Sequence, residues 1–405
     1  LVPRKKLDIG WADFASGLSA CVFAGHRDAV QQRLERWWSP AGDALAFLSV
    51  RSGFDLVLQQ LALPRGSEVL VSAITIRDMV NVLEHHGLVA VPLDIETATC
   101  AVQVETLERA VTANTRAVLI AHLFGSRMPM DGLVAAARRH GLILFEDCAQ
   151  AYAGDGYRGH PDSDVAMFSF GTIKTATALG GALFNFRSAA LRAAVAARQC
   201  DYPVQPRSAF LRKLIKIAAL HALSARLPYA LFVVMCRAFG RNHDRVISSA
   251  VRGFVGSDLL RLLRQRPPAA MLALLERRLA ACTPAQLVPR IAAATAALQQ
   301  LPPALHCGAR AAFHSHWVFP IQHDQPDLLV CHLWRRGFDA TRGASSMCAV
   351  GAPDGRLAAA NAQRMMERIV YLPVDNCSAP GELHAMVAAI TQFEPPADTG
   401  GARAA

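Results

Sequence analysis

Between Gly141 and Phe186 the chain carries two apolar runs, each stopping at residues able to do chemistry. Leu142 to Phe145 has the length and bounds of a buried strand and ends at Glu146-Asp147, which predicts carboxylates at a strand's carboxyl end. Val165 to Phe168 is a second such run; it ends in Ser169-Phe170, and Lys174 follows in a short loop that leads to Gly180-Gly181. Open α/β sheets hold ligands beyond the carboxyl ends of their strands. One crevice is therefore predicted to receive an acid, a hydroxyl and an amine. Singly, these residues read as a helix cap, a strand-end hydroxyl and a solvated loop lysine. Their joint spacing is what points to a site.

An amine for a Schiff base, a carboxylate for a pyridinium nitrogen, and hydroxyl and backbone donors for a phosphate are the groups that pyridoxal 5'-phosphate needs. The segments EDCAQA and FSFGTIKTATALGG resemble those of the DegT/DnrJ-type sugar aminotransferases, which are fold type I pyridoxal-phosphate enzymes. The resemblance implies that Lys174 is the Schiff-base lysine and Asp147 the pyridinium partner. It also implies that Gln150 neighbours the cofactor's phenolic oxygen and that Ser169 is a phosphate ligand. Members with histidine in place of the lysine perform dehydration, so Lys174 argues for transamination.

Earlier in the chain, Ala46 to Asp55 reads as a short strand meeting a Ser-Gly turn, with a helix following from Leu56 to Leu63. Backbone N–H groups at such a helix start suit a phosphate. Ser52-Gly53-Phe54 resembles the family's phosphate-binding turn, with Phe54 where a threonine is usual. Ile76 stands where the family has an aromatic residue over the cofactor ring. An aliphatic side chain there covers the ring face by dispersion and loses the aromatic pair's extra term, on the order of 1 kcal/mol. His122 and Gly125 match an H-x-x-G at a strand end, which makes His122 a candidate near cofactor or substrate. Arg252 to Ser257 lies where the family's G-x-N-x-R-M carries an asparagine that reaches the partner subunit's phosphate, and this chain has no asparagine there.

Strands at Leu88 to Asp94, Ala117 to His122 and Leu142 to Glu146 alternate with helical stretches at Glu105 to Val111 and Met130 to His140. This order predicts an α/β fold with a mostly parallel, seven-stranded type of sheet covered by helices on both faces. A smaller α+β C-terminal domain follows by resemblance. The expected division is an arm and helix at 1–40, a large cofactor-binding domain at 41–202, a helical insertion at 203–250, a small domain at 251–394 and a disordered tail at 395–405. In the small domain His314 and His316 alternate before a strand and face one side. They read as structural or substrate-facing rather than metal-binding, with His316 the candidate contact. Arg342 is a candidate for an anionic group, with a structural arginine as the equal alternative.

Of the residues from Arg207 to Arg245, eight are Lys or Arg and only Asp244 is acidic, so much of the net charge of +10 sits in one segment. That concentration speaks against a diffuse nucleic-acid surface. Leu227 to Cys236 inside it is apolar but too short to span a bilayer. The segment reads either as a packed helical insertion or as a basic, amphipathic surface for peripheral membrane contact. Ten cysteines scattered without zinc spacing or a C-x-x-C pair predict no metal and a reducing cytoplasm, with the inner membrane face as the peripheral alternative. Together these readings give an aminotransferase that moves an amino group from an amino acid, glutamate by resemblance, to a keto group of a nucleotide-linked deoxy sugar, working as a homodimer. A lipid-linked or long-chain keto acceptor is the first alternative, and an inactive cofactor-binding or regulatory protein is the second.

Overall fold

Seven strands form the central sheet of the computed structural model, which describes the chain apart from residues 5, 6, 252–258, 344–346, 353, 354, 356, 378, 380 and 395–405 and the side chains of 248–251 and 259. They are β1 (Ala44–Phe47), β2 (Glu68–Ser72), β3 (Val89–Leu93), β4 (Thr115–Ala121), β5 (Ile143–Asp147), β6 (Val165–Ser169) and β7 (Ala182–Phe186). Their order across the sheet is β1-β7-β6-β5-β4-β2-β3. The five strands from β6 to β3 run parallel, while β7 is antiparallel to both β6 and β1. Alternate residues feed opposite cores, as a pleated strand requires: Val69 and Val71 pack with Phe54, Phe145 and Met167, and Leu70 packs with Val118, Ile120 and Leu144. Both faces are covered, so the strands read as continuous apolar runs in the sequence. The segment Arg252 to Ser257 and the tail 395–405 lie outside the described residues.

Helix α1 (Trp11–Phe23) and helix α2 (Arg27–Trp38) precede the sheet. Trp38 is buried; its ring meets Phe168 at 5.2 Å and its Nε1 donates to Asn185 Oδ1 at 2.6 Å, whereas Trp37 is exposed. Helix α3 spans Val50–Leu61 and begins six residues before the expected Leu56. The reason is local: Ser49 is extended and its Oγ accepts from the Ser52 N–H at 3.2 Å, an N-cap that starts the helix before the Ser-Gly pair. Ser52 and Gly53 therefore belong to the first turn of α3.

The basic segment folds as α4 (Arg207–Leu223), α5 (Arg226–Ala238) and α6 (His243–Val251), with α4 and α5 bent by 96° at their junction. Phe210, Leu214 and Ile217 bury the inner face of α4 in one core with Leu274 and Leu275 of α7 (Ala269–Ala281), and Ile215 points outward. Among the described residues no single helix is long and apolar enough to cross a membrane. Toward the C-terminus Phe319–Gln322 pairs antiparallel with Ile369–Leu372, and helices at Val288–Gln300, Pro326–Arg335 and Glu382–Thr391 enclose them around a separate core. Asp339, fully buried there, accepts from Arg4 Nε at 2.8 Å, from His243 Nε2 at 3.0 Å and from the Tyr229 hydroxyl.

Candidate active site

Asp147 ends β5 and Ser169 ends β6, so the parallel pairing of these strands carries both to the same edge of the sheet. The chain then turns back toward β7 through the loop that holds Lys174. Thr177 shapes that loop: its Oγ1 donates to Gly171 O at 2.7 Å and accepts from the Leu179 N–H at 2.9 Å. Ala176 and Leu179 sit at φ +52° and +63°, a conformation that L-residues avoid at a cost of order 1–3 kcal/mol each. From the N-terminal arm, Asp8 Oδ2 accepts the Ala176 N–H at 2.6 Å. Such strain persists only where surrounding contacts over-determine the backbone.

Lys174 is partly accessible, and its Nζ lies 4.0 Å from the centre of the Trp317 ring. No hydrogen bond or ion pair holds that ammonium among the described residues. Burial lowers its pKa to about 8 against the pull of Asp147, and the Arg51 guanidinium adds to the lowering. Burial raises the Asp147 carboxyl in turn, opposed by the Ala149 N–H at 2.9 Å and by the charges of Lys174 and His122. An amine and a carboxylate thus face one crevice, each poised away from its ordinary value. Catalytic groups are found in such settings.

The remaining candidates divide into two groups. Ser52, Gly53, Ser169 and Ile76 stand on strand ends or a helix start around the same sheet edge, and Gln150 Oε1 accepts the Phe124 N–H at 2.7 Å. Phe54, His122, His316 and Arg342 have other partners. The Phe54 side chain is fully buried with its ring 5.3 Å from that of Phe145, so only its backbone can face a ligand. His122 is buried and gives Nε2 to Glu146 Oε1 at 2.9 Å, while its Nδ1 accepts the Met128 N–H at 3.2 Å. His316 stacks on His314 at 4.0 Å, and burial lowers the two imidazoles to about 4 and about 3. Arg342 pairs with Asp327 at 2.9 Å and donates to the Met366 and Glu367 carbonyls.

Beneath Asp147, Glu146 collects the crevice's buried polar groups. The Tyr157 hydroxyl and His122 reach Oε1, while Ser163 Oγ at 2.6 Å and the His160 N–H at 2.8 Å reach Oε2. Burial alone would raise this carboxyl; the His122 hydrogen bond, then those of Ser163 and Tyr157, outweigh it and hold the pKa at about 2. Cys148 Sγ also converges here, donating to Glu146 Oε1 at 3.4 Å.

Two residues at the site have no signal in the local sequence pattern. Trp317 comes from the far side of the chain, with its Nε1 donating to Ile173 O at 2.8 Å. Arg51 lies in the first turn of α3 and pairs with Asp78. Gly53 has a sequence signal and a packing reason too. A Cβ there would stand 2.5 Å and 2.6 Å from the Phe184 ring, which is buried and meets Phe47 at 4.6 Å. Gly53→Ala is expected to cost about 1–3 kcal/mol of stability and to displace the start of α3. A lowered thermal midpoint together with weaker cofactor binding would be the signature.

The donor set, a lone lysine amine beside a carboxylate with hydroxyls and a helix start nearby, fits pyridoxal 5'-phosphate. Residues 28–201 match the model of the DegT/DnrJ/EryC1/StrS aminotransferase family. Among solved structures, the sugar aminotransferase CalS13 from Micromonospora echinospora is 18% identical, with a TM-score of 0.70 over 97% of this chain and 100% of that one. AtS13 from Actinomadura melliaura is 18% identical, with a TM-score of 0.69 over 97% and 99%. DesI, solved in the presence of its TDP-sugar product, is 20% identical, with a TM-score of 0.64 over 96% and 93%. These likenesses show a shared fold across nearly the whole chain. The matched segment contains β1 to β7, Asp147 and Lys174, so over that stretch the chain is similar to the pyridoxal-phosphate-dependent DegT/DnrJ/EryC1/StrS aminotransferases.

Proposed function

We propose that the protein moves an amino group from an amino acid, glutamate in the first instance, to a keto group of a nucleotide-linked deoxy sugar. The observation that carries the reading is Lys174: an amine with no hydrogen-bond partner among the described residues, lowered to about 8, beside Asp147 at the carboxyl end of a parallel sheet. DesI, of the same fold, was solved with a TDP-sugar product, which supports a nucleotide-linked acceptor here. The division into a cofactor-binding part at 41–202, an insertion at 203–250 and a small domain at 251–394 belongs to this proposal, supported by the separate C-terminal core. So does a homodimer.

Lys174 would anchor the cofactor and Asp147 would pair with its ring nitrogen. The backbone and hydroxyl at Ser52-Gly53, with Ser169, would take its phosphate, Gln150 would lie near its phenolic oxygen, and Ile76 would cover its ring. When bound, that group supplies the electron sink that lets a bond to the donor's α-carbon ionise. Lys174 does the proton work. At neutral pH an amine of pKa about 8 is neutral in roughly a tenth of molecules, some two orders of magnitude more than an ordinary lysine, so Nζ can take a proton and return it. Asp147 keeps a negative charge within reach of that ammonium, and the Ala149 N–H holds one of its oxygens in place.

Two measurements test the reading. Purified protein loaded with pyridoxal phosphate should show a visible absorbance that glutamate bleaches, and keto sugar nucleotides should then restore it; no response to any amino donor would sink transamination. The rate at which the apoprotein takes up cofactor should climb with pH and level off above about 8, as Lys174 loses its proton. A profile still rising steeply past pH 10 would mean an ordinary lysine. A lipid-linked or long-chain keto acceptor is the second reading, favoured by the exposed apolar face of α5, and it enters the same restoration assay in detergent.

A further inference from the structure

Helix α5 has a strongly apolar face that no other described residue covers. On α5, Leu227 is 80% exposed, Leu231 65%, Val234 60% and Met235 59%, and Phe239 at its C-cap is 75% exposed. These positions follow i, i+4, i+7, i+8 and i+12, a single stripe about 18 Å long at the helical rise. The opposite face is fastened down: Tyr229, Val233 and Cys236 are buried, the Tyr229 hydroxyl donates to Asp339, and Arg226 at the helix start pairs with Glu382. The helix therefore keeps its place without using the stripe. Trp11 of α1, 58% exposed, meets His221 of α4 at 5.1 Å, three residues before the bend into α5.

The flanks of this face are cationic. Arg237 in the last turn of α5 and Arg241 just beyond it are exposed, and no ion pair joins them to an acid among the described residues. The one acid of the segment, Asp244, is taken by Arg4. A second copy laid on this face about a two-fold axis would bring a second set of the same cations to one interface, with the segment's only acid already taken by Arg4. A surface that offers hydrocarbon at its boundary and negative charge above it complements both features at once.

We propose that α5, with the Trp11 end of α1, is a docking face for an anionic lipid bilayer, lying in the headgroup boundary without crossing it. The 96° bend between α4 and α5 fits that geometry, since α5 lies flat only by turning sharply from α4. The face brings the enzyme to a membrane whatever its acceptor proves to be.

The test is co-sedimentation of the cofactor-loaded protein with vesicles of phosphatidylcholine, alone or with a third of phosphatidylglycerol. The protein should pellet with the anionic vesicles and be released by high salt, because each surface cation near the headgroups contributes roughly fivefold to partition. Leu231→Asp with Phe239→Asp should cut the bound fraction at least tenfold, and so should Arg237→Glu with Arg241→Glu. Both variants should keep the cofactor's visible absorbance, which reports an intact fold. Wild-type protein that stays in the supernatant with anionic vesicles overturns the proposal, as do folded variants that bind like wild type. A drop in sedimentation coefficient for the Leu231/Phe239 variant without lipid would assign the face to a second copy instead, and would also overturn it.

Discussion

Lys174→Ala should lose the visible absorbance of the bound cofactor and reduce amino transfer by at least about 10⁴-fold, since it removes both the anchoring amine and the general acid–base group. The surroundings make the loss hard to offset. Among the described residues no amine other than that of Lys174 is tied electrostatically to Asp147. His122 is already committed to Glu146 and to the Met128 N–H. Lys174→Arg should fail as well, because a guanidinium keeps its charge where a neutral amine is needed. Spectra of the two variants with and without glutamate decide the matter, and a variant that still transfers amino groups at a tenth of the wild-type rate would dismiss Lys174 as the proton carrier.

The largest effect on stability is expected at Glu146. Removing its carboxylate by Glu146→Ala strands the Tyr157 hydroxyl, His122, Ser163 and the His160 N–H in a buried site. A cost of about 3–5 kcal/mol is expected, as for other broken buried charge networks, with a smaller loss for Glu146→Gln. The pH dependence has a definite sign. The folded pKa of about 2 lies below the ordinary 4.5, so the stabilisation is complete above the ordinary value and disappears as pH falls from there toward 2. It amounts to roughly 3 kcal/mol. Thermal unfolding of wild type against Glu146→Gln through that window measures it: the gap between them should close on acidification.

Much of this site was legible because its residues follow one another at strand and loop spacings. Asp147 and Ser169 each close an apolar run, and adjacent parallel strands bring such ends together whatever the rest of the chain does. The sheet was legible for the same reason, with β2 to β6 marked by runs buried on both faces. The start of α3 was misjudged because Ser49, not Ser52, makes the cap, and two serines three residues apart offer the same signal. His122 and Arg342 carried plausible chemistry in sequence, yet buried or nearby acids claim them in space, and nothing local announces Glu146 or Asp327 as their partners. Trp317 was out of reach altogether: its place over Lys174 depends on how the C-terminal part folds back, 143 residues later. The basic, apolar segment allowed two readings by composition. The fold packs the inner side of α4 in a core and leaves the outer side of α5 bare, and no local pattern separates the two helices in this respect.

Asp339 ties together Arg4, Tyr229 and His243, groups separated from it by 335, 110 and 96 residues. Val2 joins the same place, its N–H bonding Gly337 O and its carbonyl accepting the Asp339 N–H. During synthesis, then, Arg4 and Val2 wait for Asp339 before these contacts can form. The seven strands are all made by Phe186 and can close early, while Arg4, Tyr229 and His243 gain their shared acid only once residue 339 is made. Joining ends so far apart is slow, because the loop entropy must be met before any contact rewards it. The nascent chain accordingly passes through a stage in which α5 lacks the buried acid that its Tyr229 hydroxyl will reach.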